Sequence, residues 1–169
     1  MLSKKMVDAL NEQLNAEFYS AYLYMSMAAY FEANDYPGFA NWMVTQFQEE
    51  QFHGNKLFKY INDRGARVKL KAIAAPPIEF ESVLAVFEET LAHEQHVTSL
   101  INNLVGLAIE EKDYATHNYL QWYVSEQIEE EKNVSDILSK LKRAGDKPQL
   151  LYMLDDKLGQ RVFTPPVEE

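Results

Sequence analysis

The feature that most restricts the fold of this chain is a stretch without periodicity. From Gly65 to Glu81 the residues, Ala74-Ala75-Pro76-Pro77 among them, show no helical spacing of apolar side chains, yet two long segments on either side do. Gly and Pro are scarce elsewhere and act as punctuation. Asn34-Asp35-Tyr36-Pro37-Gly38 reads as a turn, with Pro37 suited to the first turn of the next helix. Gly65 suits a left-handed cap, and Ser82 suits an N-cap. Glu111-Lys112-Asp113 is a short break, and Lys142-Arg143-Ala144-Gly145 combines a basic last turn with a closing glycine. Pro148 opens a short fifth helix that Gly159 closes. The sequence thus predicts one all-α domain over residues 1–169, with helices at about 4–33, 37–64, 83–111, 114–143 and 148–158 and a crossover at 65–82. The tail from Thr164 to Glu169 is expected to be extended or loose.

Geometry then selects a topology. A helix of roughly 28 residues is about 42 Å long, whereas a 17-residue linker can stretch to roughly 56 Å. Only that linker can run the length of a bundle; the other connections are short enough to force antiparallel neighbours. Two helical hairpins joined by one long crossover follow, and a plain up-down bundle would need no such linker.

Composition bounds the function. The 169 residues suffice for one domain with a substantial core, and 47% are hydrophobic without any bilayer-spanning window. The first residues, Met1-Leu2-Ser3-Lys4-Lys5-Met6-Val7-Asp8, carry no apolar signal region, and there is no cysteine. Together these predict a cytoplasmic protein without disulfides or thiolate metal sites. A formal charge of −10 argues against nucleic acid or an anionic membrane as partner and suits attraction of cations.

Each long helix carries an apolar seam, and each seam is broken by a carboxylate well inside the helix. The first reads Val7, Leu10, Leu14, Glu17, Ala21, Tyr24, Ala28, Phe31; the second reads Met43, Phe47, Glu50, Gly54, Leu57, Ile61. The third reads Leu84, Phe87, Leu91, Glu94, Thr98, Ile101, Val105, Ala108, and the fourth Leu120, Tyr123, Gln127, Glu130, Val134, Ile137, Leu141. Burying one unpaired carboxylate costs several kcal/mol, and four facing one another add repulsion. No Lys or Arg lies on the seams nearby, so a multivalent cation is the economical remedy.

Spacing sharpens the inference. Glu17 and Glu50 are 33 positions apart, as are Glu94 and Gln127; Glu17 to His53 and Glu94 to Glu130 are both 36. The hairpins therefore present polar groups in equivalent places: Glu17 with Glu50-x-x-His53, and Glu94 with Gln127-x-x-Glu130. Residues three apart share a helix face and can reach one centre. An oxygen-rich set with one imidazole suits iron or manganese better than structural zinc or copper. One Glu per helix plus Glu-x-x-His is the pattern of di-iron carboxylate bundles.

On these residues the chain resembles the ferritin family, specifically bacterial-type non-haem ferritin, over nearly its whole length. The resemblance rests on Glu17, Tyr24, Glu49-Glu50-x-x-His53, Glu94 and Glu126-Gln127-x-Glu129-Glu130. It implies a first iron on Glu17, Glu50 and His53 and a second on Glu50, Glu94 and Glu130, with Glu50 bridging. A third site is implied at Glu49, Glu126 and Glu129, sharing Glu130. For Tyr24, and with it Trp122, it implies a hydrogen bond to the ligands and electron donation, against a plain packing role. His93 and His96 lie off the seam and read as surface histidines, while Asp113 and His117 are implied to line an iron inlet at a subunit junction.

Departures from neighbouring families narrow the match. Haem-binding ferritins carry a second Glu-x-x-His and a ligating methionine, where this chain has Gln127-x-x-Glu130 and Gln51; no haem is expected. DNA-binding mini-ferritins lack a fifth helix, and iron-poor light-type subunits lack oxidation ligands that are all present here. The expected function is iron storage with ferroxidase activity: Fe²⁺ oxidised by O₂ or H₂O₂, and Fe³⁺ held as mineral inside a cage of twenty-four identical subunits. Leu150, Leu151 and Leu154 of the fifth helix are expected to pack around fourfold axes. Two other classes fit less well. A di-iron oxygenase or radical-generating chain would carry two Glu-x-x-His motifs, and a metal-free scaffold bundle would have uninterrupted apolar seams.

Overall fold

A computed structural model describes residues 2–145 and 147–165. Local chemistry sets the helix ends. Ser3 opens α1 (Lys4–Ala33) by accepting from the Met6 amide, and Pro37 occupies the first turn of α2 (Pro37–Asp63). Gly65, at φ 72°, supplies the left-handed residue that lets the Ala66 amide reach back to the Ile61 carbonyl. Ser82 caps α3 (Val83–Glu110) through the Ala85 amide, and Asp113 caps α4 (Tyr114–Ala144) through the Thr116 amide. The short α5 (Pro148–Leu158) begins at a proline. No strand occurs among the described residues, and no helix is long and apolar enough to cross a membrane.

The crossover runs along α1. Lys69 N donates to Asn11 Oδ1 near one end of that helix. Ser26 Oγ donates to the Pro77 carbonyl, and Phe80 packs edge-on against Tyr30 near the other end. Between Asn11 and Tyr30 the helix rises roughly 29 Å, so α3 starts at the end of the bundle where α1 finishes. Two antiparallel hairpins, α1/α2 and α3/α4, follow from that placement.

The core is split in two. One apolar cluster joins Tyr24, Met27, Phe31, Phe39, Met43, Phe87, Val134 and Leu141, with Leu154 and Leu158 from α5. A second joins Met6, Leu10, Leu14, Leu57, Ile61, Ile101, Leu104 and Leu120 at the opposite end. Between them lies a buried layer of Glu17, Glu50, His53, Glu94, Gln127 and Glu130. The long apolar ends supply the stability that tolerates this polar middle.

Helix α5 packs on its own bundle. Leu154 and Leu158 complete the core of their own bundle, and Leu151 packs beside them, because Asp155 accepts from the Phe39 amide at 2.9 Å and fixes α5 on the start of α2. Of the three leucines expected to face neighbouring subunits, only Leu150 is exposed, beside Tyr152 and Met153. The contact requires Gly38, since a Cβ there would stand 1.7 Å from the Asp155 carbonyl oxygen. Within the tail expected to be extended, Thr164 and Pro165 form no regular structure, while residues 166–169 lie outside the described residues.

Candidate metal centre

Glu17 on α1 and Glu50 and His53 on α2 bring one ligand atom each within 4.8 Å of one another, all three side chains buried. His53 Nδ1 stands 3.9 Å from Glu17 Oε2 and 3.5 Å from Glu50 Oε2. Its other nitrogen faces away, with Nε2 3.8 Å from Glu126 Oε1. His53, Glu126 and Glu130 make a second convergent group within the same 4.8 Å span. The imidazole thus sits between two sets of carboxylates. Its backbone is fixed by Tyr123 Oη, which donates to the His53 carbonyl at 2.8 Å, and its ring lies edge-on to Trp122 at 5.3 Å.

Amides and a phenol orient the acids. Gln13 Nε2 donates to Glu17 Oε1 at 2.8 Å, and Gln46 Nε2 to Glu130 Oε2 at 2.9 Å. Tyr24 Oη donates to Glu94 Oε1. Gln127 Nε2 donates to Glu94 Oε2 at 3.2 Å and to the Glu94 carbonyl at 3.1 Å. Glu50 Oε2 is different: among the described residues it is the one buried side-chain oxygen with no hydrogen-bond partner. A buried acceptor left unmade costs roughly 1–3 kcal/mol, more when charged. It faces His53 Nδ1 and the Glu17 carboxylate, where a cation would satisfy it.

Burial dominates the electrostatics. It pushes Glu130 up to about 8, helped by Glu94 and Glu49 and opposed by His53. It also raises Glu94, against the hydrogen bonds from Tyr24 and Gln127, and lifts Glu50 well above the usual carboxylate range despite the neighbouring imidazole. For His53 burial acts downward, but Glu50, Glu126 and Glu17 together carry it well above its ordinary value. Tyr24 is raised well above 10 by burial and by Glu94. Raised in this way, Glu50, Glu94 and Glu130 favour their protonated forms, and a cation competes with those protons.

The geometry treats the sequence candidates unequally. Glu17, Glu50 and His53 converge; Glu94 and Glu130 lie in the same buried layer but outside that trio, held by Tyr24, Gln127 and Gln46. Of the acids assigned to a third site, Glu126 converges with His53 and Glu130. Glu49 is instead paired with Arg161 at 2.6 Å, and Glu129 is exposed and joins neither group. Asp113 is taken up by the α4 cap and by Arg64 Nη2 at 3.2 Å, while His117 is half-buried beside Gln121.

His96 is exposed as expected, and His93 is half-buried. It packs against the Tyr19 and Tyr24 rings with Nε2 2.8 Å from Ser20 Oγ, and burial, with His96, lowers it to about 4. Ser20 Oγ already donates to the Ala16 carbonyl, so it accepts from the imidazole N–H. Tyr19, Ser20 and Tyr24 of α1 cover the flank of the seam where His93 lies.

Three further residues escaped the sequence reading: Gln13, Gln46 and Arg161. A signal for the amides was present, because each stands one helical turn before a seam glutamate, Gln13 before Glu17 and Gln46 before Glu50. The hairpin offset of 77 residues pairs Gln46 with Tyr123 and His53 with Glu130. Accordingly Gln46 steadies Glu130 and Tyr123 steadies His53, each across the bundle. Arg161 carried no such signal, since it lies on no seam.

Known proteins resemble this chain in sequence and fold. The family profile of the ferritin-like domain matches residues 7–144. Bacterial non-heme ferritin of Staphylococcus aureus is 45% identical over 163 residues, covering 96% of this chain and 98% of the relative. That of Staphylococcus saprophyticus is 48% identical with the same coverage. A closed form of the Archaeoglobus fulgidus ferritin, engineered by site-directed mutagenesis, superposes with a TM-score of 0.96 at 52% identity, covering 97% of this chain and 100% of that one.

Proposed function

The chain belongs to the ferritin family, and on that premise we propose that it stores iron and oxidises it on the way in. Iron is the substrate. One Fe²⁺ binds Glu17, Glu50 and His53 Nδ1; a second binds Glu50, Glu94 and Glu130; Glu50 bridges them. Bridged metal pairs lie roughly 3.5–4 Å apart. Each ion yields one electron, so the pair reduces O₂ to H₂O₂, or H₂O₂ to water, with uptake of two protons. The anionic ligands favour the ferric product. Gln127 and Tyr24 orient Glu94, and Tyr24 exchanges a proton or an electron with the pair. An outer ion binds Glu126 and Glu130 with Glu49, and Glu129 is available at its solvent side.

The observation that carries this reading is the Glu50 oxygen that accepts no hydrogen bond inside a buried layer of acids and meets only the His53 imidazole, at 3.5 Å. A purely structural core would have satisfied it or replaced it with an apolar side chain.

Storage needs a closed shell, so we propose a cage of twenty-four copies in the cytoplasm, the whole chain serving as one ferritin-like unit without haem. Exposed apolar side chains on α1 (Tyr22, Met25), α2 (Phe58) and the crossover (Leu70, Ile73, Ile78) support self-association. Aerobic addition of Fe²⁺ tests the centre: wild type produces ferric absorbance rapidly, and Glu50→Ala does so at least roughly tenfold more slowly. Equal rates would sink the mechanism. Size-exclusion chromatography tests the cage, which must elute far above the mass of a monomer.

A further inference from the structure

The segment after α5 returns to the metal centre. Asn41 Nδ2 donates to the Leu158 carbonyl at 3.3 Å and to that of Arg161 at 3.0 Å. Further on, Phe163 packs 6.3 Å from Phe52, whose ring neighbours both His53 and Trp122. Held on both sides, Arg161 lays its guanidinium 4.8 Å from the Trp42 ring and divides its donors. Nη1 donates to Gln46 Oε1, and Nη2 donates to Glu49 Oε2 at 2.6 Å. Gln46 in turn donates to Glu130. One cationic side chain therefore holds Glu49 directly and Glu130 through a single amide. Both ion-pair partners are largely withdrawn from water, with side-chain exposures of 23% and 20%. That makes the contact a charge-assisted hydrogen bond of the stronger kind and not a solvated surface pair.

We propose that Arg161 is a tethered substitute for the outer metal ion: it holds Glu49 while that site is empty and opposes a cation that comes to share the carboxylate. The inference rests on the metal centre proposed above. Arg161 Nη2 already holds Glu49 Oε2, so a cation there must share the carboxylate with a positive charge. A metal ion sits about 2.0–2.2 Å from a carboxylate oxygen, which would bring it against the guanidinium with like charge. The trio of Glu17, Glu50 and His53 meets no such competitor, for no Lys or Arg contact reaches it among the described residues. Cations therefore fill the inner pair first and the outer site second. Arg161 is a positioning residue that sets this order, and Gln46 carries its effect to the ligand shared by both sites.

Titration of the intact protein with Zn²⁺, followed by calorimetry, checks the exchange without any redox step. Wild type shows a tight class that Glu50→Ala abolishes and a weaker class belonging to the outer site. Arg161→Gln, neutral but still able to bond Gln46, tightens the weaker class about tenfold, the scale of one charge-assisted contact, and shifts the tight class far less. Arg161→Lys keeps the charge on a side chain unable to span both acceptors; its outer affinity falls between the two, which also separates the effect from a folding defect. In a Glu49→Gln background, Arg161→Gln brings no gain. An unchanged weaker class in Arg161→Gln overturns the proposal, as does a gain that survives Glu49→Gln, since that would be long-range electrostatics. A wild type lacking a tight class sensitive to Glu50→Ala would instead overturn the inner centre.

Discussion

Substituting Glu130 by Gln separates what the buried acids cost the fold from what they do for metal binding. Burial lifts the Glu130 carboxyl from 4.5 to about 8. A folded-state value above the unfolded one means that the folded chain binds the proton more tightly. Its contribution to stability is complete below about 4.5 and is lost as pH rises through about 8. At 1.36 kcal/mol per unit, the full shift is worth roughly 5 kcal/mol. Part of the shift comes from Glu94 and Glu49, whose own titration offsets the change, so about half of that, roughly 2–3 kcal/mol, falls to one substitution. The amide keeps the acceptor for Gln46 Nε2 and brings no charge, so packing is preserved.

The assay is thermal unfolding in excess chelator at fixed protein concentration, at pH 5 and pH 8. Near pH 5 the two proteins melt together. At pH 8 Glu130→Gln melts higher by roughly 4–12 °C, on a scale of about 2–4 °C per kcal/mol for a chain of this size. Zn²⁺ at 100 times the dissociation constant of the wild-type protein closes most of this gap, because it adds about 2.7 kcal/mol to the form that binds it. Melting curves that stay parallel between pH 5 and pH 8 in chelator would refute the argument. They would mean that the carboxylate is hydrated or already paired.

Two other substitutions test the elements around the centre. Gly38→Ala places a methyl group 1.7 Å from the Asp155 carbonyl oxygen, so α5 must detach; losing the packing of Leu154 and Leu158 costs about 3–6 kcal/mol, and amide exchange over 148–158 rises sharply, whereas unchanged exchange would show that α5 is not docked by this contact. Tyr24→Phe keeps the core shape but removes the donor to Glu94; ferrous oxidation slows roughly 10–100-fold, as for other groups that orient metal ligands, and a rate equal to wild type would leave Tyr24 a packing residue only.

Much of the fold was legible because its determinants are local and repeated. Ser82 caps its helix through the adjacent amide, Gly65 takes the left-handed conformation its position asks for, and the seam residues from Leu10 to Leu141 are mostly buried. The polar layer was legible for a different reason: an acid inside an apolar seam contradicts its surroundings, and four contradictions at matched offsets share one explanation. What the sequence concealed depends on long-range closure. Periodicity could show that α5 has an apolar side, but not that this side turns inward. That depends on Asp155 meeting the Phe39 amide across a gap that only Gly38 leaves open. The partial cover of His93 was hidden too, because it comes from Tyr19 and Ser20 on α1, which no pattern within α3 records.

Arg161 shows why charge balance cannot be judged along the seams alone. The helices place no base near the acids, and from them the layer reads as uncompensated. The compensation arrives from the far end of the chain and reaches only the rim, meeting Glu49 and Gln46 and stopping short of Glu50. A guanidinium placed among Glu17, Glu50 and Glu94 would stabilise the metal-free fold and destroy its capacity for cations. Placed at the rim, it relieves repulsion where a weaker, exchangeable site is wanted and leaves the inner pair unsatisfied. The stability lost by the unmade contact at Glu50 is then available as binding free energy for the metal, which is why the Glu130→Gln and Arg161→Gln proteins should respond in opposite directions when Zn²⁺ is added.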